Sequence, residues 1–194
     1  MPIQEVYLIR HGETEWSLNG RHTGTTDIPL TENGRRVARL LAAALAKEKF
    51  ALVLMSPLKR ARETCELAGF GARAEIDGDL MEWNYGAYEG LTPEEIHAQA
   101  PGWMIFTDGC PGGENPEQVG ARVDRLIAKV RGVEGHVALF AHGHLFRVFA
   151  ARWLALPAVA GSHFLLDTAT VNMLSYYHGT PAVKRWNAPL GDSL

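Results

Sequence analysis

The chain has 194 residues, of which 46% are hydrophobic and 21% charged, and its formal net charge is -3. These values are typical of one soluble globular domain, and they exclude a strongly basic protein that binds nucleic acid through its overall charge. We therefore interpret residues 1–194 as a single domain with no nucleic-acid partner. Any anion site must come from local clustering of basic residues.

Cysteine usage and the N-terminal pattern point to a reducing compartment. Cys65 and Cys110 do not form a C-x-x-C pair, which disfavours a zinc or redox motif. The start, "MPIQEVYLIR", enters a strand pattern without the features of a signal peptide. No apolar run approaches the ~20 residues that a membrane-spanning helix needs. We expect a cytoplasmic location and no membrane partner.

The first half of the chain alternates short apolar runs with helical patterns. The predicted elements are, in chain order, a strand at 6–9, a helix at 30–50, a strand at 51–56, a helix at 57–69 and a short strand at 72–76. Thr31 is a candidate N-cap for the first helix, and Gly69 is placed to end the second. The stripe of the first helix predicts a buried face of Val37, Leu40, Leu41, Ala44 and Leu45.

The second half begins with a loop-rich segment and then resumes the alternation. The predicted elements are a short helix at 93–99, a helix that starts at Asn115-Pro116, a strand at 137–141, a helix at 144–156 and a hairpin of 171–177 with 182–187. Strands that alternate with helices predict an α/β three-layer sandwich, with a mostly parallel sheet and helices on both faces. The order of the strands cannot be derived from these patterns.

Polar residues of one kind follow three of the predicted strands. The sets are Arg10-His11-Gly12, Ser56 with Arg60, and His142-Gly143-His144. Open α/β sheets bind ligands beyond the carboxyl ends of their strands. Arginine guanidinium groups match phosphate oxygens, and a helix N-terminus favours an anion. One such residue alone is more often structural, but their coincidence at three strand ends favours a phosphate site.

At this point the sequence resembles a known family. "LIRHGETEWSLNGR" is similar to the signature of the histidine phosphatase superfamily, the phosphoglycerate mutase-like proteins. The resemblance continues, in the family's order, through "TGTTDIPLTENG", "SPLKRARET", "LMEWNYGAYEGLT" and "AHGHLFR". The details "EWNYGAYEG" and "DGCPGGE" are most similar to small phosphatases, including sedoheptulose-1,7-bisphosphatase-like enzymes and mycobacterial acid phosphatases. The resemblance implies a phosphoglycerate mutase-like fold.

The resemblance also implies roles for individual residues. His11 corresponds to the nucleophile that is transiently phosphorylated, and Glu82 to the proton donor. Arg10, Arg60 and His142 match the rest of the phosphate pocket.

Further positions are assigned to the same pocket. Gly143 is expected to bind phosphate, and so is Ser17, which stands where many members have asparagine. Substrate contacts are expected from Thr23, Gly24, His144, Trp83 and Tyr85. The pair His142-x-His144 lacks nearby carboxylates that would complete a metal site. For His144, a structural role stays almost as good an interpretation as a substrate contact.

These residues predict a metal-independent phosphomonoesterase that needs no cofactor and acts on small organic phosphates. Neutral His11 would attack phosphorus, while Arg10, Arg60 and a protonated His142 neutralise the developing charge. Glu82 would protonate the leaving alkoxide and then deprotonate the water that cleaves phosphohistidine. We expect a bell-shaped pH profile on the acidic side of neutral.

Two alternatives remain. A phosphoglycerate mutase would need a longer segment between Glu82 and His142 to shield phosphohistidine from water, so a phosphatase is favoured. A non-catalytic phospho-ligand-binding module is less favoured, because the nucleophile and the acid are both present. The hairpin at 171–187 either pairs with a second subunit in a homodimer or is covered in a monomer.

Overall fold

The computed structural model describes residues 4–188, which contain one six-stranded sheet. The strands are β1 (Val6–Arg10), β2 (Phe50–Met55), β3 (Glu75–Ile76), β4 (His136–Ala141), β5 (Val171–Tyr177) and β6 (Thr180–Ala188). Their order is β3-β2-β4-β1-β5-β6. Strands β1 to β4 are parallel, β5 runs antiparallel to β1, and β5 and β6 form an antiparallel hairpin. The prediction of a mostly parallel α/β fold is confirmed.

Helices pack around this sheet. They are α1 (Glu15–Leu18), α2 (Glu32–Leu45), α3 (Lys59–Leu67), α4 (Pro93–Gln99), α5 (Ile105–Asp108), α6 (Pro116–Arg131) and α7 (Gly143–Trp153). Among residues 4–188 no helix has both the length and the apolar character of a membrane span.

The alternation of side chains along the strands creates two apolar cores, one on each face of the sheet. On β1, Val6 and Leu8 face the core that contains α6 and α7. Tyr7 and Ile9, on the same strand, face the core that contains α2 and α3. Successive residues of a strand point to opposite faces, so a strand in the middle of this sheet is apolar throughout. This is the three-layer arrangement that the sequence predicts.

The buried face of α6 is as predicted, but that of α2 is only partly so, because Leu41 and Leu45 are buried and Val37 and Ala44 are half-buried. Leu40 is 50% exposed, while Gly34, Ala38, Leu41 and Leu45 are buried. Gly34 faces inward because the loop after β1 lies against the helix at this residue. A Cβ atom at Gly34 would stand only 2.2 Å from the backbone oxygen of Glu13. A count of large apolar residues could not detect this approach of two backbones.

Candidate active site

The two central parallel strands bring the predicted polar residues together. Arg10, the last residue of β1, is in register with Ala141, the last residue of β4. His11 and His142 follow directly, and their ring centroids lie 5.3 Å apart. His142 is also the N-cap of α7, so both imidazoles lie at the N-terminus of that helix. The two histidines therefore share one site, as the sequence predicts.

A cavity of about 270 Å³ opens at this edge of the sheet. Its lining residues are Arg10, His11, Ser17, Gly20, Arg21, His22, Thr23, Glu82, Tyr85, Pro93, Gly143, His144, Arg147 and Leu166. Most of the site residues that the sequence predicts are among them. Gly24, Arg60, Trp83 and His142 are buried and do not line the cavity.

The His11 ring is held in one tautomer. Its Nδ1 lies 2.7 Å from the backbone oxygen of Gly12, and a carbonyl oxygen only accepts hydrogen bonds, so Nδ1 carries the proton. Burial lowers the pKa of His11 well below its usual value, and the charges of Arg60 and Arg10 lower it further. His11 is therefore a neutral imidazole with its lone pair on Nε2. That is the state a nucleophile requires.

His142 is held in the opposite tautomer. Its Nε2 lies 2.7 Å from Oγ of Ser56, and Oγ also accepts from the Leu58 amide. In the described chain the Ser56 hydroxyl proton has no other acceptor than His142, so Nε2 accepts and Nδ1 carries the proton. Nδ1 is buried, and no described residue bonds to it. This leaves a buried N–H donor for a ligand.

The expectation that His142 is protonated is wrong for the protein by itself. Burial lowers the pKa of His142 well below its usual value, and Arg60 and His11 lower it further. The sequence predicts that His142 lies near Arg10 and Arg60, but it does not show that the imidazole ring is fully buried. His142 is thus a neutral hydrogen-bond donor and not a cation.

Arg10 approaches the N-terminus of α7 through a gap that only glycine leaves open. A Cβ atom at Gly143 would stand 3.1 Å from Nε of Arg10. One terminal nitrogen of Arg10 donates to the backbone oxygen of Leu166, and Nε is buried without a partner among residues 4–188. The guanidinium charge therefore faces no carboxylate within ion-pair distance in the described structure.

Arg60 combines two tasks. Its terminal nitrogens donate to three backbone oxygens, of Thr26 at 3.0 Å and of Thr23 and Gly24 at 2.9 Å. Its Nε is buried and finds no acceptor in the described chain. Arg60 thus orders the 23–26 loop while it keeps its own charge uncompensated by an ion pair. Thr23 and Gly24 are in this way part of the wall that supports the arginine.

Glu82 lies against the N-terminus of α7. Its Oε1 accepts from the amides of Trp83 and Leu145, both at 2.9 Å, and its Oε2 accepts from the amide of His144 at 3.1 Å. These bonds and the helix dipole fix the orientation of the carboxyl group. Oε2 makes one fewer hydrogen bond than Oε1, so it is the oxygen with an acceptor position left for a proton or a water.

The loop that carries Glu82 is held by Arg122 of α6, a residue that the sequence did not indicate. Arg122 donates to the backbone oxygens of Asp79 and Met81, both at 2.8 Å. It also forms a bidentate ion pair with Glu114, with both distances at 2.8 Å. A single arginine on the polar face of a helix gives no signal of such a role.

Two predicted residues play different parts from those expected. The Ser17 hydroxyl donates to the backbone oxygen of Thr14 at 2.9 Å, within the cap of α1, so its proton is already engaged. Trp83 is fully buried, and its Nε1 donates to the backbone oxygen of Glu114 at 2.9 Å. Its ring packs edge-on against Phe106 beneath the cavity. Trp83 supports the pocket floor and does not reach the cavity.

The cavity is also lined by two arginines that the sequence did not assign to the site. Arg147 lies three residues after His144 on α7, a spacing that places both on one helix face. Its guanidinium lies 4.5 Å above the ring of Phe106. Arg21 pairs with Glu95 at 3.0 Å. The spacing of 144 and 147 was a usable signal, whereas Arg21 lies in a loop and gave none.

In the described residues no cluster of three or more His, Cys, Asp or Glu side chains has the arrangement of a metal site.

Comparisons with known proteins agree with this geometry. The sequence model of the histidine phosphatase superfamily (branch 1) matches residues 6–189. An acid phosphatase from Mycobacterium tuberculosis is 41% identical over 176 residues, which cover 89% of this chain and 86% of the relative. A sedoheptulose 1,7-bisphosphatase from Saccharomyces cerevisiae is 36% identical over 182 residues, covering 77% of this chain and 67% of the relative.

Solved structures have the same fold. The product of an open reading frame of Mycobacterium tuberculosis superposes with a TM-score of 0.91 at 37% identity, over 95% of this chain and 97% of that chain. A mycobacterial glucosyl-3-phosphoglycerate phosphatase, determined with VO3, superposes with a TM-score of 0.86 at 31% identity, over 95% and 99% of the two chains.

Proposed function

Since the chain belongs to the histidine phosphatase superfamily (branch 1), we propose that it hydrolyses small organic phosphomonoesters through a phosphohistidine formed on Nε2 of His11. The observation that carries the proposal is the fixed tautomer of His11, whose free nitrogen lies beside two arginines that have no carboxylate partner among the described ion pairs. A neutral nucleophile next to uncompensated positive charge suits a phosphate dianion.

Binding uses the donors that the protein leaves unpaired. The buried Nε groups of Arg10 and Arg60 and Nδ1–H of His142 are three donors without a described protein partner. The N-terminus of α7 adds its dipole at the same place. In this proposal the guanidinium of Arg10, which lines the cavity, holds the phosphoryl oxygens. Arg60 and His142, which are buried near His11, stabilise the negative charge as the bonds to phosphorus rearrange.

The first step transfers the phosphoryl group. The Nε2 lone pair of His11 forms a bond to phosphorus while the bond to the ester oxygen breaks. The leaving alkoxide takes a proton from Glu82, and Oε2 is the oxygen with the available position. The new positive charge on the imidazole is stabilised by the Nδ1–H bond to the Gly12 oxygen.

The second step returns the enzyme to its starting state. Glu82 takes a proton from water, the water oxygen attacks phosphorus, and the N–P bond breaks. Inorganic phosphate leaves, and both Glu82 and His11 recover their initial protonation. One carboxyl group thus acts first as an acid and then as a base.

A phosphatase is better supported than a mutase. The relatives named acid phosphatase and sedoheptulose 1,7-bisphosphatase are 41% and 36% identical. A probable phosphoglycerate mutase from Photorhabdus laumondii is 29% identical over 94% of this chain. The non-catalytic module stays disfavoured, because His11 and Glu82 both face the cavity. A cytoplasmic location and the oligomeric state, monomer or homodimer, stay predictions.

The test combines phosphate release with trapping of the intermediate. Wild-type protein should release phosphate from p-nitrophenyl phosphate without added metal or bisphosphoglycerate. Reaction with a 32P-labelled ester, followed by a rapid quench without acid, should yield protein-bound phosphate that is acid-labile and alkali-stable. His11→Ala should lower the rate by about 10³-fold or more and abolish the label.

His163→Ala is the matched control, because His163 is exposed and lies outside the cavity lining. It should leave both readouts unchanged. Phosphate release that persists in His11→Ala, or that depends on a bisphosphoglycerate primer, would contradict the proposal.

A further inference from the structure

A second pair of histidines lines the cavity and takes no part in the mechanism above. His22 and His144 both belong to the lining. Their rings lie 6.0 Å apart, centroid to centroid, and are stacked at an angle of 20°. Tyr85, Trp103 and Phe106 pack edge-on around the pair. These contacts fix where the two rings stand.

A phenol fixes the tautomer of His144. Its Nδ1 lies 2.6 Å from the hydroxyl oxygen of Tyr85. Tyr85 is 2% exposed, and burial raises its pKa well above the usual value, so it stays protonated. Among the described residues its proton has only one acceptor, Nδ1 of His144. The remaining proton of His144 is therefore on Nε2, which is a donor.

A backbone oxygen fixes His22 in the other tautomer. Its Nδ1 lies 3.0 Å from the oxygen of Leu91, which can only accept, so Nδ1 carries the proton. In the described chain Nε2 of His22 has no hydrogen-bond partner. It is an acceptor at the cavity wall.

Both rings are neutral near neutral pH. Burial lowers the pKa of His22, and it lowers that of His144 well below the usual value, with a further contribution from Arg147. The pair therefore offers one donor and one acceptor without net charge. Hydroxyl groups both donate and accept, and they match such a pair, whereas a carboxylate or phosphate would find one acceptor facing it.

We propose that His22 and His144 form a hydroxyl-recognition pair, in which Nε2 of His22 accepts from one hydroxyl of the substrate and Nε2–H of His144 donates to another. This inference rests on the proposed function and adds a substrate preference to it. Phosphomonoesters of polyols should react better than alkyl esters of equal length. An ester without hydroxyls leaves both nitrogens without their partners after water is displaced, and sites of that kind discriminate strongly.

The experiment compares two substrates that differ only in hydroxyl groups, D-arabitol 5-phosphate and n-pentyl phosphate. The readout is the ratio of their kcat/KM values, which cancels any common loss at the phosphoryl site. In the wild-type protein, kcat/KM should be at least about 10-fold higher for D-arabitol 5-phosphate than for n-pentyl phosphate. His22→Phe and His144→Phe should each lower this ratio by about 10-fold, because phenylalanine keeps a planar ring but removes the hydrogen bond.

Two further variants complete the design. His163→Phe places the same substitution on an exposed histidine outside the cavity, and it should leave the ratio unchanged. His22→Gln restores an acceptor and should recover part of the ratio even if the phenylalanine variant folds poorly. Calorimetry with the His11→Ala protein measures the Kd of each ester. The ratio of these two Kd values reports the preference for hydroxyl groups without any turnover.

The outcomes separate the two proposals. Turnover with a wild-type ratio near one, or with a ratio that the histidine variants do not change, overturns the hydroxyl pair and leaves the phosphatase proposal standing. If the protein shows no turnover, the phosphatase proposal is overturned. If the Kd ratio nevertheless falls in His22→Phe and His144→Phe, the hydroxyl-recognition pair is supported.

Discussion

The arginines of this protein occupy two different environments. Arg10 and Arg60, at the cavity, donate to backbone oxygens and pair with no carboxylate in the described structure, and each has a buried Nε without a partner. Arg122 and Arg125, on α6, each form ion pairs, with Glu114 at 2.8 Å and with Asp79 at 2.6 Å. The same residue type is thus neutralised in one region and left uncompensated in the other.

This difference separates function from stability. A buried charge without an ion pair costs stability, because the lost hydration is not replaced by a protein anion. The site without ligand carries this loss of stability. A bound phosphate dianion removes it, because the anion replaces the lost hydration. The Arg122 guanidinium has no unpaired donor group, because its nitrogens bond to Glu114 and to the backbone oxygens of Asp79 and Met81. Substitution of a cavity arginine should therefore lower activity without lowering stability, whereas substitution of Arg122 should mainly lower stability.

The largest effect is expected at the cavity. Arg10→Met should lower kcat/KM by about 10³-fold, or about 4 kcal/mol of transition-state stabilisation, because a buried guanidinium beside the phosphoryl group is lost. The melting temperature should stay equal or rise, since a buried unpaired charge is removed. Steady-state kinetics and differential scanning calorimetry measure the two quantities. A large drop in melting temperature with activity retained would reverse the comparison.

The next effect is expected on α6. Arg122→Met should destabilise the fold by about 2–4 kcal/mol, since it leaves Glu114 and two loop carbonyls without their donor. The side chains of this pair are 13% and 21% exposed. Urea denaturation measures the loss, and kcat should fall by about 10-fold because Glu82 is less well positioned.

Arg125→Met is the matched control on the same helix. The Arg125 side chain is 62% exposed, and exposed ion pairs contribute little. Its urea midpoint and kcat should stay close to the wild-type values. Equal losses in the two variants would show that burial of the ion pair is not what decides the effect.

The pH dependence of stability sharpens the comparison at the site. Burial holds the pKa values of His11, His142 and His144 below their usual value of ~6.5 in the folded chain. The unfolded chain therefore binds more protons as the pH falls below 6.5, and stability falls with it. No such loss is expected above that pH.

The expected slope is about 1.4 kcal/mol per pH unit for each of these histidines, down to its lowered folded pKa. Urea denaturation at pH 7.5, 6.0 and 5.0 measures it. His144→Phe should give a shallower slope than wild type. A stability that does not change between pH 7.5 and 5.0 would contradict the burial of neutral imidazoles.

Several elements could be predicted because their signals are local. The buried face of α6, with Val119, Val123, Leu126, Ile127 and Val130, follows from periodicity alone, and all five residues are buried. The N-caps Thr31 and Asn115 bond within their own first turns, so short segments contain the whole signal. Each of these features depends on residues only a few positions apart.

Other features depend on contacts that the sequence does not show. The burial of Gly34 on α2 follows from a loop backbone that approaches it, and the strand order follows from how the layers pack. Trp83 lies beneath the cavity instead of on its wall, because Glu114 and Phe106 hold it there. No periodicity or motif encodes these distances.

The sequence by itself determined which residue types stand at the ends of the central strands, and therefore that a phosphate site lies there. The tertiary structure decided their chemical states. The donor and acceptor nitrogens of His142 and His144 are set by Ser56 and Tyr85, which lie 86 and 59 positions away along the chain. A proton on an imidazole responds to burial and to the hydrogen-bond partner, and both are properties of the folded chain.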